Sequence, residues 1–149
     1  MRALTILGTI GIVALLGACG RETVAAAPPA PSAAAPSVSK VASWDDVVAD
    51  VKSHLDRAAD VAATGKAAEA KELVHDAYFA SFEALGLETA IRENISAKRA
   101  FELEEIFADL RKDLGDNDVP AFRQLTLTLL GELSHDAAEL TAARVALPS

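Results

Sequence analysis

Apolar residues recur every three to four positions in long segments after residue 43, a spacing that predicts amphipathic helices rather than strands. The first segment is preceded by Ser43, a hydroxyl N-cap, and carries Asp45 and Asp46 in its first turn, where the helix dipole favours negative charge. Thr64-Gly65 ends this helix. Its apolar stripe consists of Trp44, Val47, Val48, Val51, Leu55, Ala58 and Ala62.

The second predicted helix runs from Lys66 to about Leu85 and continues, bent at Gly86, to Arg92. At about 100° per residue, one stripe of this helix should face the core. The stripe consists of Leu73, Ala77, Ala80 and Ala84.

Two more helices complete the pattern. Asn94 and Ser96 form a turn and a cap before the third helix, which covers residues 97–114. The segment 115–118 breaks the chain, and Pro120 opens the fourth helix in its first turn, where its missing N–H costs nothing. The apolar face of the fourth helix consists of Phe122, Leu125, Leu129, Leu133, Ala137 and Leu140. Short connections between such helices predict an all-α, up-down-up-down four-helix bundle over residues 43–146.

The start of the chain has a different character and predicts a processing signal over residues 1–18. Arg2 is followed by an apolar run, Ala3 to Leu16, that is too short for a stable membrane anchor. Leu16-Gly17-Ala18-Cys19 resembles the bacterial lipobox, in which the cysteine is lipidated and becomes the new N-terminus. Cys19 is the only cysteine of the chain, so no internal disulfide can form. The alternative is an ordinary cleaved signal followed by a stray thiol.

Residues 19–42 predict a linker, because Ala, Pro and Ser alternate there without an apolar period and cannot bury a core. We therefore expect a domain held by lipid to the periplasmic side of a bacterial membrane. Gly20 favours the outer membrane, because lipoprotein sorting in many diderm bacteria retains Asp at that position in the inner membrane.

Charge excludes one class of function. The chain has 14 basic and 22 acidic side chains, and removal of the first 18 residues changes the net charge from −8 to −9. A basic nucleic-acid footprint is absent, so we expect no nucleic-acid partner. The sequence contains no nucleophile motif, phosphate loop or cysteine–histidine cluster, and we expect no enzyme.

Two Glu-x-x-His steps invite comparison with di-iron helical bundles, which use a pair of such steps. They are Glu72 with His75 and Glu132 with His135, within the similar stretches KELVHDA and GELSHDA. On the helical wheel all four side chains point away from the apolar stripes. The pattern therefore predicts two exposed imidazoles and an amphipathic repeat with Leu and Ala inside and Glu, His and Asp outside, rather than a shared two-metal site.

The outer face of the second helix is unusually apolar. Phe79 and Phe82 lie there beside His75, with Tyr78 at the flank. Apolar groups all round a helix indicate burial on both sides or a docking surface. These four residues are our candidate partner surface, and burial beneath the linker or a neighbouring helix is the alternative.

Acidic residues near the turn between the second and third helices give the candidate cation ligands. Glu88 lies near the apolar stripe, and either Arg99 or Arg92 could pair with it. The alternative is that Glu83, Glu88 and Glu104 converge as hard oxygen ligands for an iron ion or another cation, such as copper.

The stretches DAYFASFEALGLETAI and LEEIFADLR resemble the extracytoplasmic helical domain of bacterial high-affinity iron permeases of the ferrous-transport type. The residues that carry the resemblance are Asp76, Tyr78, Phe79, Phe82, Glu83, Gly86, Glu88, Glu104 and Phe107. The chain departs from these permeases in having no transmembrane segment after the signal. It also lacks their Arg-Glu-x-x-Glu step, since residues 92–96 read RENIS. The resemblance thus implies a free-standing lipoprotein version of the accessory domain, which binds iron or docks on a permease.

Two functions remain open on the sequence. The first is a lipid-anchored periplasmic accessory protein associated with the uptake of iron or another metal ion. The second is a non-catalytic structural or interaction lipoprotein with no small ligand.

Overall fold

The structure, a computed structural model, describes residues 41–149 of the 149-residue chain. The predicted signal peptide, the lipobox with Cys19 and nearly all of the linker lie outside the described residues. The helical elements are α1 (Trp44–Ala63), α2 (Ala67–Asp76), a π-helical segment (Ala77–Glu83) that continues α2, α3 (Leu87–Asn94), α4 (Ala97–Gly115) and α5 (Val119–Ala142). Within residues 41–149 no helix is both long enough and apolar enough to cross a membrane.

Three of the helix starts have a side-chain cap, and two of these are the caps predicted at Ser43 and Ser96. The hydroxyl of Ser43 accepts a hydrogen bond from the N–H of Asp46 (3.2 Å), and that of Ser96 accepts one from Arg99 (3.0 Å). Asp118, which the sequence placed only in a chain break, caps α5 by accepting from the N–H of Ala121 (3.0 Å). Each cap satisfies a backbone donor that has no partner inside its own helix.

The long helices form the predicted all-α bundle. α1 packs against α2 and α5, and α4 packs against α2, α3 and α5, so that α1 and α4 occupy opposite corners. Every residue of the predicted α1 stripe is buried. The α5 face is buried as well, except for Leu125 at its edge, which is half-buried. Burial of one apolar stripe from each helix supplies the main stabilising term of such a bundle.

The second helix departs from the predicted phase. Leu73 and Ala77 are buried as expected, but Ala80 and Ala84 are exposed. The cause is the π-helical segment, in which the N–H of Ala84 donates to the carbonyl of Phe79, five residues back (3.1 Å). The wider turn holds more residues than an α-turn and rotates the downstream side chains about the axis. A strict 3.6-residue period therefore gives the wrong face after residue 77.

The rotation brings Ser81 and Phe82 into the core, where both are fully buried. The Ser81 hydroxyl donates a hydrogen bond to Oδ2 of Asp50 on α1 (2.7 Å). This contact satisfies a buried hydroxyl that would otherwise destabilise the fold. It also ties the π-helical segment to α1.

Gly86 ends the π-helical region and starts α3. Its φ of +82° lies in the left-handed region, which glycine adopts at little cost. A Cβ at this position would lie 2.3 Å from Cγ of Pro148 in the C-terminal segment. The same segment is held at Val145, whose carbonyl accepts a hydrogen bond from Nε1 of Trp44 (3.0 Å). The bend predicted at Gly86 is confirmed, and it is where the C-terminus packs.

We expect Gly86→Ala to lower the free energy of unfolding by about 2 kcal/mol or more, measured by chemical denaturation. A non-glycine residue costs about 1–2 kcal/mol in the left-handed conformation, and the new methyl group would also displace Pro148. Gly65→Ala is the control, because Gly65 has a similar φ of +81° but open space around its Cβ position. Equal losses in the two variants would contradict the packing of Pro148 on Gly86.

Candidate functional site

Three aromatic rings form a cluster between the π-helical segment and α4. The ring centroids of Phe82 and Phe107 are 5.4 Å apart, and that of Tyr78 lies 5.3 Å from Phe107 in an edge-to-face arrangement. Such pairs contribute about 0.5–1.5 kcal/mol beyond their buried area. Tyr78 is half-buried, so the cluster connects the core to the surface at this point.

Three of the four residues of the predicted partner surface, His75, Tyr78 and Phe79, are exposed or half-buried. Phe79 is 43 % exposed, and the exposed ring of His75 packs against it at 4.4 Å between centroids. Tyr78 joins them, 4.7 Å from Phe79. The placement of Phe82 on this outer face is wrong, because the π-helical turn directs its ring into the core.

Beside the rings, the guanidinium of Arg92 bridges two carboxylates from different helices. Its Nη2 lies 2.8 Å from Oε1 of Glu104 on α4 and also binds the carboxylate of Glu88, four residues earlier on α3. The side chain of Glu88 is only 13 % exposed. The predicted pairing of Glu88 with Arg99 is therefore wrong, and the competing pairing with Arg92 is correct. The sequence did not indicate that Glu104 shares the same guanidinium.

The pKa of Tyr78 depends on all three candidate metal ligands. Partial burial raises the pKa of its phenol, and the charges of Glu88, Glu104 and Glu83 raise it further, against the opposing effect of Arg92. The charges of all three acids thus act on one phenol, although Glu83 is itself exposed. Because the folded-state pKa is raised, stability from the neutral phenol is complete below about pH 10 and is lost as the pH rises through the higher folded-state pKa.

We expect Tyr78 to ionise above the ordinary tyrosine pKa of about 10, and Glu104→Gln to move this pKa back towards it. Tyr78 is the only tyrosine of the chain, so the ultraviolet absorbance of tyrosinate reports it alone. Glu105→Gln is the matched control, since Glu105 is the exposed neighbour on the same helix. An equal shift in the two variants would show that the acids do not act locally.

An open cleft of about 310 Å³ lies where the rings and the acids meet. It is lined by Tyr78, Phe79, Glu104, Phe107 and Arg111. Arg111 was not among the sequence candidates, because an exposed arginine on α4 is typical of any solvated helix face. Its place at the cleft follows from the packing of α4 against the π-helical segment.

A separate group of potential ligands lies on α5. Among residues 41–149, one set of three or more histidine and acidic side chains brings its ligand atoms within 4.8 Å of one another, namely His135, Asp136 and Glu139. Asp136 already has a charged partner, because both of its carboxylate oxygens accept hydrogen bonds from Nε of Arg99 (3.2 and 2.8 Å). The carboxylates of Glu83, Glu88 and Glu104 do not approach one another this closely.

The second Glu-x-x-His step also has a structural explanation. His75 and His135 are both exposed, as predicted. Glu132 and Asp136 are not simply outward-facing, however, since both bind the guanidinium of Arg99 on α4. Desolvation lowers the pKa of Arg99, but hydrogen bonds to Asp136 and Glu132 outweigh it, so that the pKa is raised overall. The prediction that all acids of this repeat face solvent is wrong for Asp136, which is buried.

Comparison with protein-family models, with curated proteins and with solved structures finds no match for this chain.

Proposed function

We propose that the protein is a lipid-anchored accessory protein on the periplasmic side of a bacterial membrane, and that its helical domain takes part in the uptake of iron or another metal ion. The observation that carries the proposal is the convergence of residues scattered over thirty positions of the sequence. Among the residues that carry the resemblance, those that line one cleft are Tyr78, Phe79, Glu104 and Phe107. Glu104 also shares the Arg92 guanidinium with Glu88.

The charges at this place support a cation as the ligand. Glu88 and Glu104 already hold a positive group between α3 and α4. A metal ion would bind there by replacing the Arg92 guanidinium between Glu88 and Glu104. Carboxylate oxygens suit hard cations, and helical bundles use them to bind iron. A π-helical turn within an α-helix is frequent at functional sites, which supports the same location.

Calorimetric titration of the chain Gly20–Ser149 with ferrous, ferric and cupric ions tests this function. This fragment contains all of the described residues 41–149 and therefore the whole of their core. We expect saturable binding of one of these ions and, in Glu104→Gln, a loss of affinity of about tenfold or more. Glu105→Gln should bind like the parent chain. Absence of saturable heat with all three ions would reject the metal-uptake function.

One observation favours a second function, that of an interaction lipoprotein. Phe79 exposes much of its ring beside His75 and Tyr78, and an exposed aromatic group rimmed by polar residues is typical of a protein interface. An uptake component such as an iron permease is the partner that the sequence resemblance implies. Phe79→Asp should abolish cross-linking to that partner in membranes. Leu127→Asp, on the opposite face, should leave it intact.

A further inference from the structure

A groove runs along the face of the bundle where α1 lies beside α5. It contains two cavities of about 460 and 230 Å³, which share Lys52, Leu127 and Leu130 in their walls and so lie end to end. Leu127 is 66 % exposed, the largest exposed fraction of any large apolar side chain in residues 41–149. The charge of Lys52 is compensated by Asp56 on the same helix. The middle of the groove is therefore apolar.

This groove shares no lining residue with the cleft at Tyr78. The groove is lined by residues of α1 and α5, whereas the cleft is lined by residues of the π-helical segment and α4. The groove thus calls for an explanation independent of metal binding. An exposed leucine in an apolar groove indicates a surface that another molecule covers.

We propose that a second copy of this chain covers the groove, forming a two-fold symmetric dimer in which the two α5 helices pack antiparallel. The spacing along α5 carries the proposal. Gly131 lies one turn after Leu127, lines the same groove and has open space around its Cβ position. A two-fold axis near residue 129 places Leu127 of each copy over Gly131 of the other. Each leucine then fills the space that the missing side chain leaves.

Charge complementarity supports the antiparallel direction. Asp45 lines the groove at one end and Arg123 lines it at the other. Within residues 41–149 Asp45 forms no salt bridge, and Arg123 reaches Asp60 only at 3.8 Å. In the antiparallel dimer each Asp45 lies opposite Arg123 of the second copy. A parallel pair would instead bring like charges together, which is unfavourable.

The size of the face fits a dimer. The 24 residues of α5 span about 36 Å, and two adjacent helices present a width of about 20 Å, which gives about 700 Å² per copy. Standard protein interfaces bury about 800 Å² per partner. The α1–α5 face is therefore large enough for a dimer in equilibrium with monomers, and the Tyr78 site of each copy stays outside the interface.

Sedimentation equilibrium of the chain Gly20–Ser149 tests the dimer. We expect twice the monomer mass at micromolar concentration, and monomers for Leu127→Glu with unchanged helical circular dichroism. Phe101→Glu is the matched control, because Phe101 is also a large exposed side chain (55 %) but lies on α4. It should remain a dimer. A monomeric parent chain, including one whose groove binds an apolar small molecule instead, would overturn the proposal, as would dissociation caused by Phe101→Glu alone.

A charge exchange tests the antiparallel arrangement itself. Asp45→Arg and Arg123→Asp should each weaken the dimer about fivefold, whereas the double variant should recover most of the parent affinity. Recovery requires that the two side chains meet across the interface, since they lie at opposite ends of the groove within one chain. Additive weakening in the double variant would overturn the antiparallel arrangement.

Discussion

Replacing Arg99 by alanine is expected to lower the free energy of unfolding by about 3–5 kcal/mol, measured by chemical denaturation. The substitution leaves the carboxylate of Asp136, whose side chain is 2 % exposed, without its charged partner. It also removes the contact between Arg99 and Glu132 that helps to hold α4 against α5. A buried charge without a partner is among the most destabilising features a fold can contain.

Two variants separate this explanation from a general effect of altering α4. Lys98→Ala changes the adjacent residue, whose exposed pair with Glu102 should contribute no more than about 1 kcal/mol. Arg99→Met combined with Asp136→Leu removes both charges of the pair and should recover much of the lost stability. Equal losses for Arg99→Ala and Lys98→Ala would contradict a buried ion pair.

Phe82→Ala is expected to destabilise the fold by a similar amount, about 3–5 kcal/mol, because it empties a fully buried ring position beside Phe107. Ala80→Gln is the informative companion. In the π-helical register Ala80 is exposed, so the longer polar side chain should change stability by no more than about 0.5 kcal/mol.

An uninterrupted α-helix would reverse these two results. Its period directs Ala80 into the core and Phe82 towards solvent, so that Ala80→Gln would be severe and Phe82→Ala mild. Thermal unfolding of the two variants, compared at matched concentration, therefore distinguishes the two registers.

The fold could be predicted where the determinants are local. Ser43 and Ser96 predict helix starts, because each places a hydroxyl just before an amphipathic segment. The structure confirms both caps. The α1 stripe needs only the ordinary helical period. The π-helical segment could not be predicted in this way, because its stability depends on packing such as the contact of Ser81 with Asp50, 31 positions away. One wide turn is enough to place Phe82 in the core and Ala80 at the surface.

The candidate site could be predicted less completely for a related reason. Glu88, Glu104 and Tyr78 were identified, but the pairing of charges depends on which helices are neighbours. Glu88 had two possible partners, Arg92 on the same helix and Arg99 on the next, and in the bundle it pairs with Arg92. The sequence predicts that Asp136 is exposed, as aspartate usually is. Only its contact with Arg99, 37 positions away, explains its burial.

The most direct test of the central claim, that the acids around Tyr78 bind a metal ion, is the ultraviolet difference spectrum of Tyr78 during metal titration. Tyr78 is the sole tyrosine and feels the charges of all three acids, so an ion bound there should perturb its absorbance in proportion to the calorimetric heat. The bound positive charge should also lower the pKa of the phenol. Saturable metal uptake that leaves both the absorbance and the pKa of Tyr78 unchanged would contradict the account.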